Sequence, residues 1–279
     1  MLTLPDIDIT EYLAEDVGGG DLTANIIAED VEAEATVVTR EAMVVCGIPW
    51  FAAVFAKLDP KVNIVWQVKE GQKVNKDAVL CKLTGQARAL LTGERTALNL
   101  LQTLSATATV SRQYADAVAG TGCKVLDTRK TIPGLRKAQK YAVAIGGCYN
   151  HRVGLYDGVL IKENHILAAG SIANAVKISR QQSDKPVEVE VESLPEFHEA
   201  CAAMPDRIML DNFSLPDLRA AVSANVNKIA LEASGNIDLN NIRTIAETGV
   251  DYVSIGALTK HIKAIDLSMR IILVNRGRH

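Results

Sequence analysis

The segment Val187-Glu188-Val189-Glu190-Val191-Glu192 alternates without a break. A strand points successive side chains to opposite faces, so three valines share one face and three glutamates the other. On an edge strand this is an apolar face packed inward and an acidic face left in water. In a β/α barrel the valines meet the surrounding helices and the glutamates enter the lumen, where unpaired like charges in low dielectric are costly and call for nearby cations. The segment alone leaves the two readings level.

The neighbouring segments shift the balance. Five further short apolar runs end in polar residues and lead into helical stretches: Val125-Leu126-Asp127-Thr128, Leu160-Ile161-Lys162-Glu163, Met209-Leu210-Asp211-Asn212, Ala230-Leu231-Glu232-Ala233 and Val253-Ser254-Ile255-Gly256. From Asp127 through Lys162, Glu190, Asp211 and Glu232 to Ser254 the steps are 35, 28, 21, 21 and 22 residues, each about a strand plus a helix. Polar groups at so many successive strand ends favour a barrel, because an open doubly wound sheet gathers its site at one switch point.

Before this repeat, Ala35–Thr39 and Val62–Trp66 read as strands among short helical signals and glycines, giving a small α+β unit. Val68–Val74 and Leu80–Gly85 are spaced as a hairpin; a biotinyl or lipoyl carrier would need an exposed Lys at the tip between methionines, and none is present. Leu91–Val118, with Leu91, Leu98, Leu101 and Leu104, reads as one or two helices joining the halves, and its small residues Ser105–Thr109 suit close packing. The expected domains are 1–105, which the tail 267–279 is a candidate to rejoin, and 106–266. Trp50 and Trp66 read as core or dimer-contact residues, and His198 as a surface residue.

Across 279 residues the chain is 48% hydrophobic and 23% charged with a net charge of -3, which excludes a disordered or coiled-coil chain and a binder of nucleic acid by overall charge. The uncharged run Ala42–Ala56 spans 15 residues and is broken by Gly47 and Pro49, too short to cross a membrane. The acidic first thirty residues do not read as a signal peptide, and the five cysteines contain no C-x-x-C pair, so a reducing cytoplasm is expected.

Between Lys124 and His165, eight Lys or Arg stand against three acids. A solvated basic face is the ordinary fate of such a run, but Arg129, Lys130 and Lys162 fall at strand ends and Asn150-His151-Arg152 follows Gly146-Gly147, the setting of an anion pocket. No aromatic residues interleave these cations as base stacking would require. Arg forks suit carboxylates and Lys suits phosphate oxygens, so a substrate class bearing both is expected. Glu190 and Asp211 on adjacent strands are candidates for Mg²⁺, which takes one or two carboxylates plus phosphate oxygens. Ser234-Gly235-Asn236 and Ile255-Gly256-Ala257 close the last two strands, where barrels commonly cradle phosphate.

Taken with Glu15–Thr23, Gly93–Asn99, Asp127–Arg136, Asn150–Arg152, Lys162–His165 and Ser254–Thr259, these blocks follow one order nearly end to end, and the chain resembles the bacterial quinolinate phosphoribosyltransferase family. The resemblance implies an N-terminal α/β sandwich, a TIM-like C-terminal β/α barrel of fewer than eight strands, and a homodimer, or a higher oligomer, with shared active sites. It implies transfer of phosphoribose from phosphoribosyl pyrophosphate (PRPP) to quinolinate with loss of CO₂, giving nicotinate mononucleotide for NAD biosynthesis, with Mg²⁺. By motif match, Arg95 from the partner, Thr128, Arg129, His151, Arg152 and Lys162 bind quinolinate. Lys130 is shared with PRPP, Glu190 and Asp211 meet ribose and metal, and Ser234, Gly235, Asn236, Ile255, Gly256 and Ala257 surround the 5-phosphate; Lys130, Glu190 and Asp211 are the expected catalytic set.

Three positions depart from the family pattern: Cys148 for a third glycine, Asn236 for glycine, and Lys260-His261 where some members have His-Ser. None is expected to abolish activity, and an exposed Cys148 would confer thiol sensitivity. The main alternative is a molybdate-operon-linked paralogue with another acceptor. Others are an aldolase-like barrel using Lys162 as a Schiff-base amine and a non-enzymatic RNA- or acid-binding surface.

Overall fold

The computed structural model describes residues 4–274. In chain order its elements are α1 (Thr10–Val17), β1 (Glu32–Thr39), β2 (Met43–Val44), α2 (Ile48–Leu58), β3 (Asn63–Trp66), β4 (Lys73–Val74), β5 (Val79–Gln86) and α3 (Ala87–Ala117). Then come β6 (Lys124–Leu126), α4 (Arg136–Ile145), β7 (Val159–Ile161), α5 (Glu163–Ala169), α6 (Ile172–Gln182), β8 (Val187–Val191), α7 (Leu194–Ala203) and β9 (Arg207–Asp211). The last are α8 (Leu215–Ala224), β10 (Ala230–Ser234), α9 (Ile242–Ala246), β11 (Tyr252–Ser254), α10 (Ala257–Lys260) and β12 (Leu267–Val274). The chain divides into two compact units, one running through Val110 and resuming at Ile262, the other Ser111–His261.

The first unit carries a four-stranded antiparallel sheet in the order β12-β1-β5-β3. Strand β1 buries Ala33, Ala35, Val37 and Thr39, the period of two that marks a half-buried strand. Its partner β12 pairs Leu267 with Thr39 and Val274 with Glu32, so the sequence beyond the barrel returns to the first sheet; residues 275–279 of the expected tail lie outside the described residues. The hairpin expected between Val68–Val74 and Leu80–Gly85 does not form. Strand β4 pairs with β2, while β5 pairs with β1 and β3. The apolar register of β5 is satisfied by two neighbours already, and the residues from Gln67 to Ala78 form a separate excursion.

Helix α3 is a single helix, and its small residues pack closely against the backbone as expected. Ser105 Oγ bonds the amide and carbonyl of Cys46, Thr109 Oγ1 accepts from the Val44 amide, and a Cβ at Gly47 would stand 3.3 Å from Leu101 Cα. Trp50 is buried, and Trp66 meets Phe51 edge-on at 5.3 Å, so both belong to this unit's packing.

The second unit is a parallel sheet in the order β6-β11-β10-β9-β8-β7 with helices between successive strands. A lone parallel bridge between Leu126 and Tyr149 adds a seventh position beside β6. It explains the 35-residue step from Asp127 to Lys162: a minimal strand sits inside it. Among the described residues nothing pairs Tyr149 with β7, so the barrel is incomplete there.

In β8, Val187, Val189 and Val191 are at most 1% exposed, whereas Glu188 and Glu190 point into the lumen, toward His151 and the Lys162 ammonium respectively. Each buried valine contributes roughly 1.5 kcal/mol or more. Leu210, fully buried one strand away, makes the framework testable. Leu210→Ala should lower unfolding free energy by about 2–5 kcal/mol, read as a lower denaturant midpoint at unchanged slope.

Candidate active site

Two cavities lie among residues at the C-terminal ends of the barrel strands. The smaller, about 420 Å³, is lined by Thr128, Arg129, Lys130, His151, Arg152, Lys162, Glu190, Asp211, Glu232 and Ser234 among others. The larger, about 820 Å³, shares Thr128, Lys130, Asp211 and Ser234 with it and extends over Gly235, Asn236, Ile255, Gly256 and Ala257. Every sequence-predicted site residue of the barrel thus meets one cavity or both. Arg95 belongs to the first unit, exposed on α3, and lines neither.

The floor is built around Asp127, which is fully buried. Its Oδ1 accepts from the buried Lys140 ammonium and from the His151 amide (2.9 Å), and its Oδ2 accepts from Asn150 Nδ2 (2.7 Å). Lys140 also donates to the His151 carbonyl at 2.9 Å. One buried ion pair therefore holds the Asn150–Arg152 turn against the end of β6. Arg136 likewise donates to the carbonyls of Arg129 and Val153. Lys124 sits at the other end of its strand, its ammonium 5.3 Å from the Tyr149 ring. Of the eight cations in the basic run, Lys140 and Arg136 therefore support the loops, and Arg129, Lys130, Arg152 and Lys162 line the smaller cavity.

Lys162 Nζ lies 2.5 Å from Glu190 Oε2. An ammonium held by a carboxylate is a poor Schiff-base nucleophile, which removes the geometric basis of the aldolase reading. Burial, and then the neighbouring Arg129 charge, pulls the Arg152 pKa down from its usual value, the mark of a cation waiting for an anion.

The larger cavity depends on backbone conformation. Gly235 has φ +94°, and a Cβ there would come within 2.2 Å of Asn212 Oδ1, so the position admits only glycine. Asn236 takes φ +49°, the left-handed turn that asparagine tolerates, and its Nδ2 donates to Asn212 Oδ1 at 3.2 Å. Asn212 in turn donates its backbone N–H to the Ser234 carbonyl (2.8 Å) and its side-chain amide to Asp211 Oδ2 (2.7 Å). A Cβ on Gly256 would stand 3.1 Å from Lys130 Cδ, so that glycine leaves room for the lysine. The Lys130 main chain is held by Thr128 Oγ1 and Thr259 Oγ1.

Two buried carboxylates and a half-buried arginine in the barrel had no role assigned from sequence. Glu188 and Glu232 flank His151 Nε2, at 2.8 and 3.6 Å, and Arg207 Nη1 donates to Glu232 Oε2 at 2.8 Å while stacking 4.2 Å over the Tyr252 ring. Burial, with Glu188 close by, pushes the Glu232 carboxyl up to about 7. Glu188 was visible on the alternating face and Glu232 as a strand end; nothing in the sequence pairs either with Arg207 or His151, because that contact crosses strands. Tyr114, Asp238, Lys260 and His261 also line the larger cavity, so the Lys260-His261 departure lies at the site itself. Cys148 does not carry thiol sensitivity: it is buried, burial pushes its thiol up to about 12, and Sγ donates to the Ser111 carbonyl at 3.1 Å.

A parallel β/α barrel whose strand ends join a carboxylate-and-cation pocket to a glycine-built cradle has the architecture of a barrel enzyme. The family is particular. Residues 107–270 match the model of the quinolinate phosphoribosyl transferase C-terminal domain and residues 21–105 that of its N-terminal domain. The chain belongs to the quinolinate phosphoribosyltransferase family, whose members are pentosyltransferases.

It is 42% identical over 271 residues to a Bacillus subtilis protein named "Probable nicotinate-nucleotide pyrophosphorylase [carboxylating]", covering 96% of this chain and 94% of that one. The solved nicotinate-nucleotide pyrophosphorylase from Francisella tularensis superposes with a TM-score of 0.90 at 52% identity, covering 95% and 94%. NadC from Streptococcus pyogenes superposes at 0.92 with 38% identity, covering 98% and 100%.

The Glu232 position has a thermodynamic consequence. A carboxyl raised from 4.5 to about 7 on folding contributes stability that is present below the lower value and lost as pH rises through the upper. Glu232→Gln keeps the neutral form at every pH. Its unfolding free energy relative to the unsubstituted protein should therefore rise by up to about 3 kcal/mol between pH 4.5 and pH 8, measured by denaturant titration.

Proposed function

We propose that this chain catalyses phosphoribosyl transfer from PRPP to quinolinate with decarboxylation, yielding nicotinate mononucleotide, pyrophosphate and CO₂ in NAD biosynthesis. The observation that carries the reading is the union of four cavity-lining cations with a phosphate cradle, sharing Lys130 and Asp211, in a chain of this family. Arg129, Arg152 and Lys162 hold the two carboxylates of the pyridine substrate; Ser234, Gly235, Asn236 and Gly256 hold the 5-phosphate of the donor. Lys130, between them, neutralises charge on the departing pyrophosphate. Carboxylates at Glu190 and Asp211 stabilise the positive charge that develops on ribose as the glycosidic bond breaks.

Mg²⁺ fits this donor set. One oxygen of Glu190 is taken by Lys162 and one of Asp211 by Asn212, which leaves one uncommitted oxygen on each among the described residues. Two carboxylate oxygens are too few for a self-sufficient site and suit a metal completed by diphosphate oxygens. When bound, Mg²⁺ offsets the charge of the leaving pyrophosphate.

The test is formation of nicotinate mononucleotide and CO₂ from purified protein. Product should require quinolinate, PRPP and Mg²⁺ together, and chelation should abolish it. Arg152→Ala should raise the KM for quinolinate at least tenfold, about 1.4 kcal/mol or more of lost binding; unchanged turnover would overturn the anion-site assignment.

Arg95 completes the carboxylate site from a partner subunit in this reading. Arg95→Ala and Asp211→Asn are then each inactive, but an equal mixture, after exchange, regains about a quarter of native activity through hybrid dimers. No recovery would place Arg95 outside a shared site.

A further inference from the structure

The carboxylates of the barrel are not all held by charge. Glu190 has the Lys162 ammonium, Glu232 the Arg207 guanidinium and Asp127 the Lys140 ammonium. Asp211, half-buried and lining both cavities, has no cation: among the described residues its carboxylate has one hydrogen-bond partner, the side-chain amide of Asn212, 2.7 Å from Oδ2. The difference bears on the chemistry. A cation would fix the carboxylate and cancel much of its field where positive charge develops on ribose, whereas a neutral amide fixes it and leaves the charge in force.

The sense of that amide follows from its neighbours. An ionised carboxylate only accepts, so the Asn212 nitrogen faces Asp211 and its oxygen faces away. That oxygen accepts Asn236 Nδ2 at 3.2 Å. Asn236 is tied in turn, its carbonyl accepting Asn241 Nδ2 at 3.0 Å while Asn241 Oδ1 accepts the Asp238 N–H at 2.9 Å. A chain of uncharged groups thus runs from the loop after β10 through Asn212 to Asp211, the last residue of the adjacent strand β9.

The backbone is shaped for this tie. Asn212 takes φ +56° and Asn236 φ +49°, left-handed conformations that asparagine tolerates better than most residues. The Asn212 N–H on the Ser234 carbonyl, at 2.8 Å, draws the two loops together. A Cβ on Gly235 would meet Asn212 Oδ1 at 2.2 Å and its backbone nitrogen at 2.9 Å. The glycine of the cradle is therefore required by the Asn212 side chain, before any ligand is considered.

We infer that Asn212 and Asn236 are positioning residues: they form an uncharged tie that orients the Asp211 carboxylate without neutralising it and links its orientation to the loop that holds the 5-phosphate. This rests on the reaction proposed above. It gives Asn236, which stands where the family pattern has glycine, a part in the site that a glycine has no side chain to play.

The experiment joins steady-state kinetics, competition by inorganic phosphate against PRPP, and crystal structures of the variants. Asn212→Gly keeps the left-handed backbone and removes the amide. Its kcat should fall roughly thirtyfold, with the KM for quinolinate and the Ki for inorganic phosphate each within about twofold of the unsubstituted protein. Its crystal structure should show the Asp211 carboxylate rotated or split between orientations on an unmoved main chain. Asn236→Gly should lower kcat roughly threefold by itself and have no further effect in Asn212→Gly, because it acts through Asn212.

The inference fails if Asn212→Gly retains kcat or leaves the Asp211 carboxylate where it was. It fails equally if kcat and phosphate affinity fall together, the sign of a loosened cradle, or if the effects of the two substitutions multiply. Should Asn212→Gly not fold, Asn212→Asp at pH 8, which keeps the size and the left-handed backbone but not the donor, carries the test. If the unsubstituted protein makes no product from quinolinate, the reaction is wrong, while the crystal structures and phosphate affinity still decide whether the tie orients Asp211.

Discussion

Acidic side chains inside the barrel are the constraint on which the rest of the second unit depends. Asp127, Glu188 and Glu232 are buried, and an unpaired carboxylate in such surroundings would be neutral or would unfold its neighbourhood. Each is met from a different element: Asp127 by Lys140 of α4, Glu188 by the His151 loop, Glu232 by Arg207 of β9. These pairings contribute less to net stability than the valines and leucines around them. They fix register, because a slip of one residue in β8 would bury Glu190 among the helices and turn Val189 into the lumen.

That constraint also sorts the cations. A run that reads as one basic patch divides in space into supports and ligands: Lys140 and Arg136 spend their donors on Asp127 and on loop carbonyls, whereas Arg129, Arg152 and Lys162 reach the smaller cavity. Desolvation separates the two classes. Lys140 is buried with a carboxylate already at hand, while Arg152 is half-buried beside another arginine and gains from an incoming anion.

The glycine-built cradle of the larger cavity works by a different physics. It needs no charge of its own, only backbone that can take positive φ and side chains small enough to admit a ligand. Gly235 and Asn236 after β10 and Asn212 after β9 meet this with two loops tied by amide hydrogen bonds, and Gly256 makes space for Lys130. The two halves of the site, one electrostatic and one conformational, meet at Lys130 and Asp211.

Much of this was legible in the amino-acid sequence. Period-two alternation in β8 and the spacing of the strand ends determined a barrel, and polar residues closing those strands located Thr128, Lys130, Lys162, Glu190, Asp211 and Ser234, because strand period and strand-plus-helix length are local properties. The pairing of β4 with β2, the one-residue strand at Tyr149 and the burial of Cys148 were not legible, since each is settled by which distant segment arrives alongside. The same holds for His151. Its sequence neighbours mark its place beside Arg152, and only the tertiary structure brings Glu188 and Glu232 from β8 and β10 beside one ring nitrogen and the Arg152 amide to the other, because those contacts cross strands that are distant in sequence.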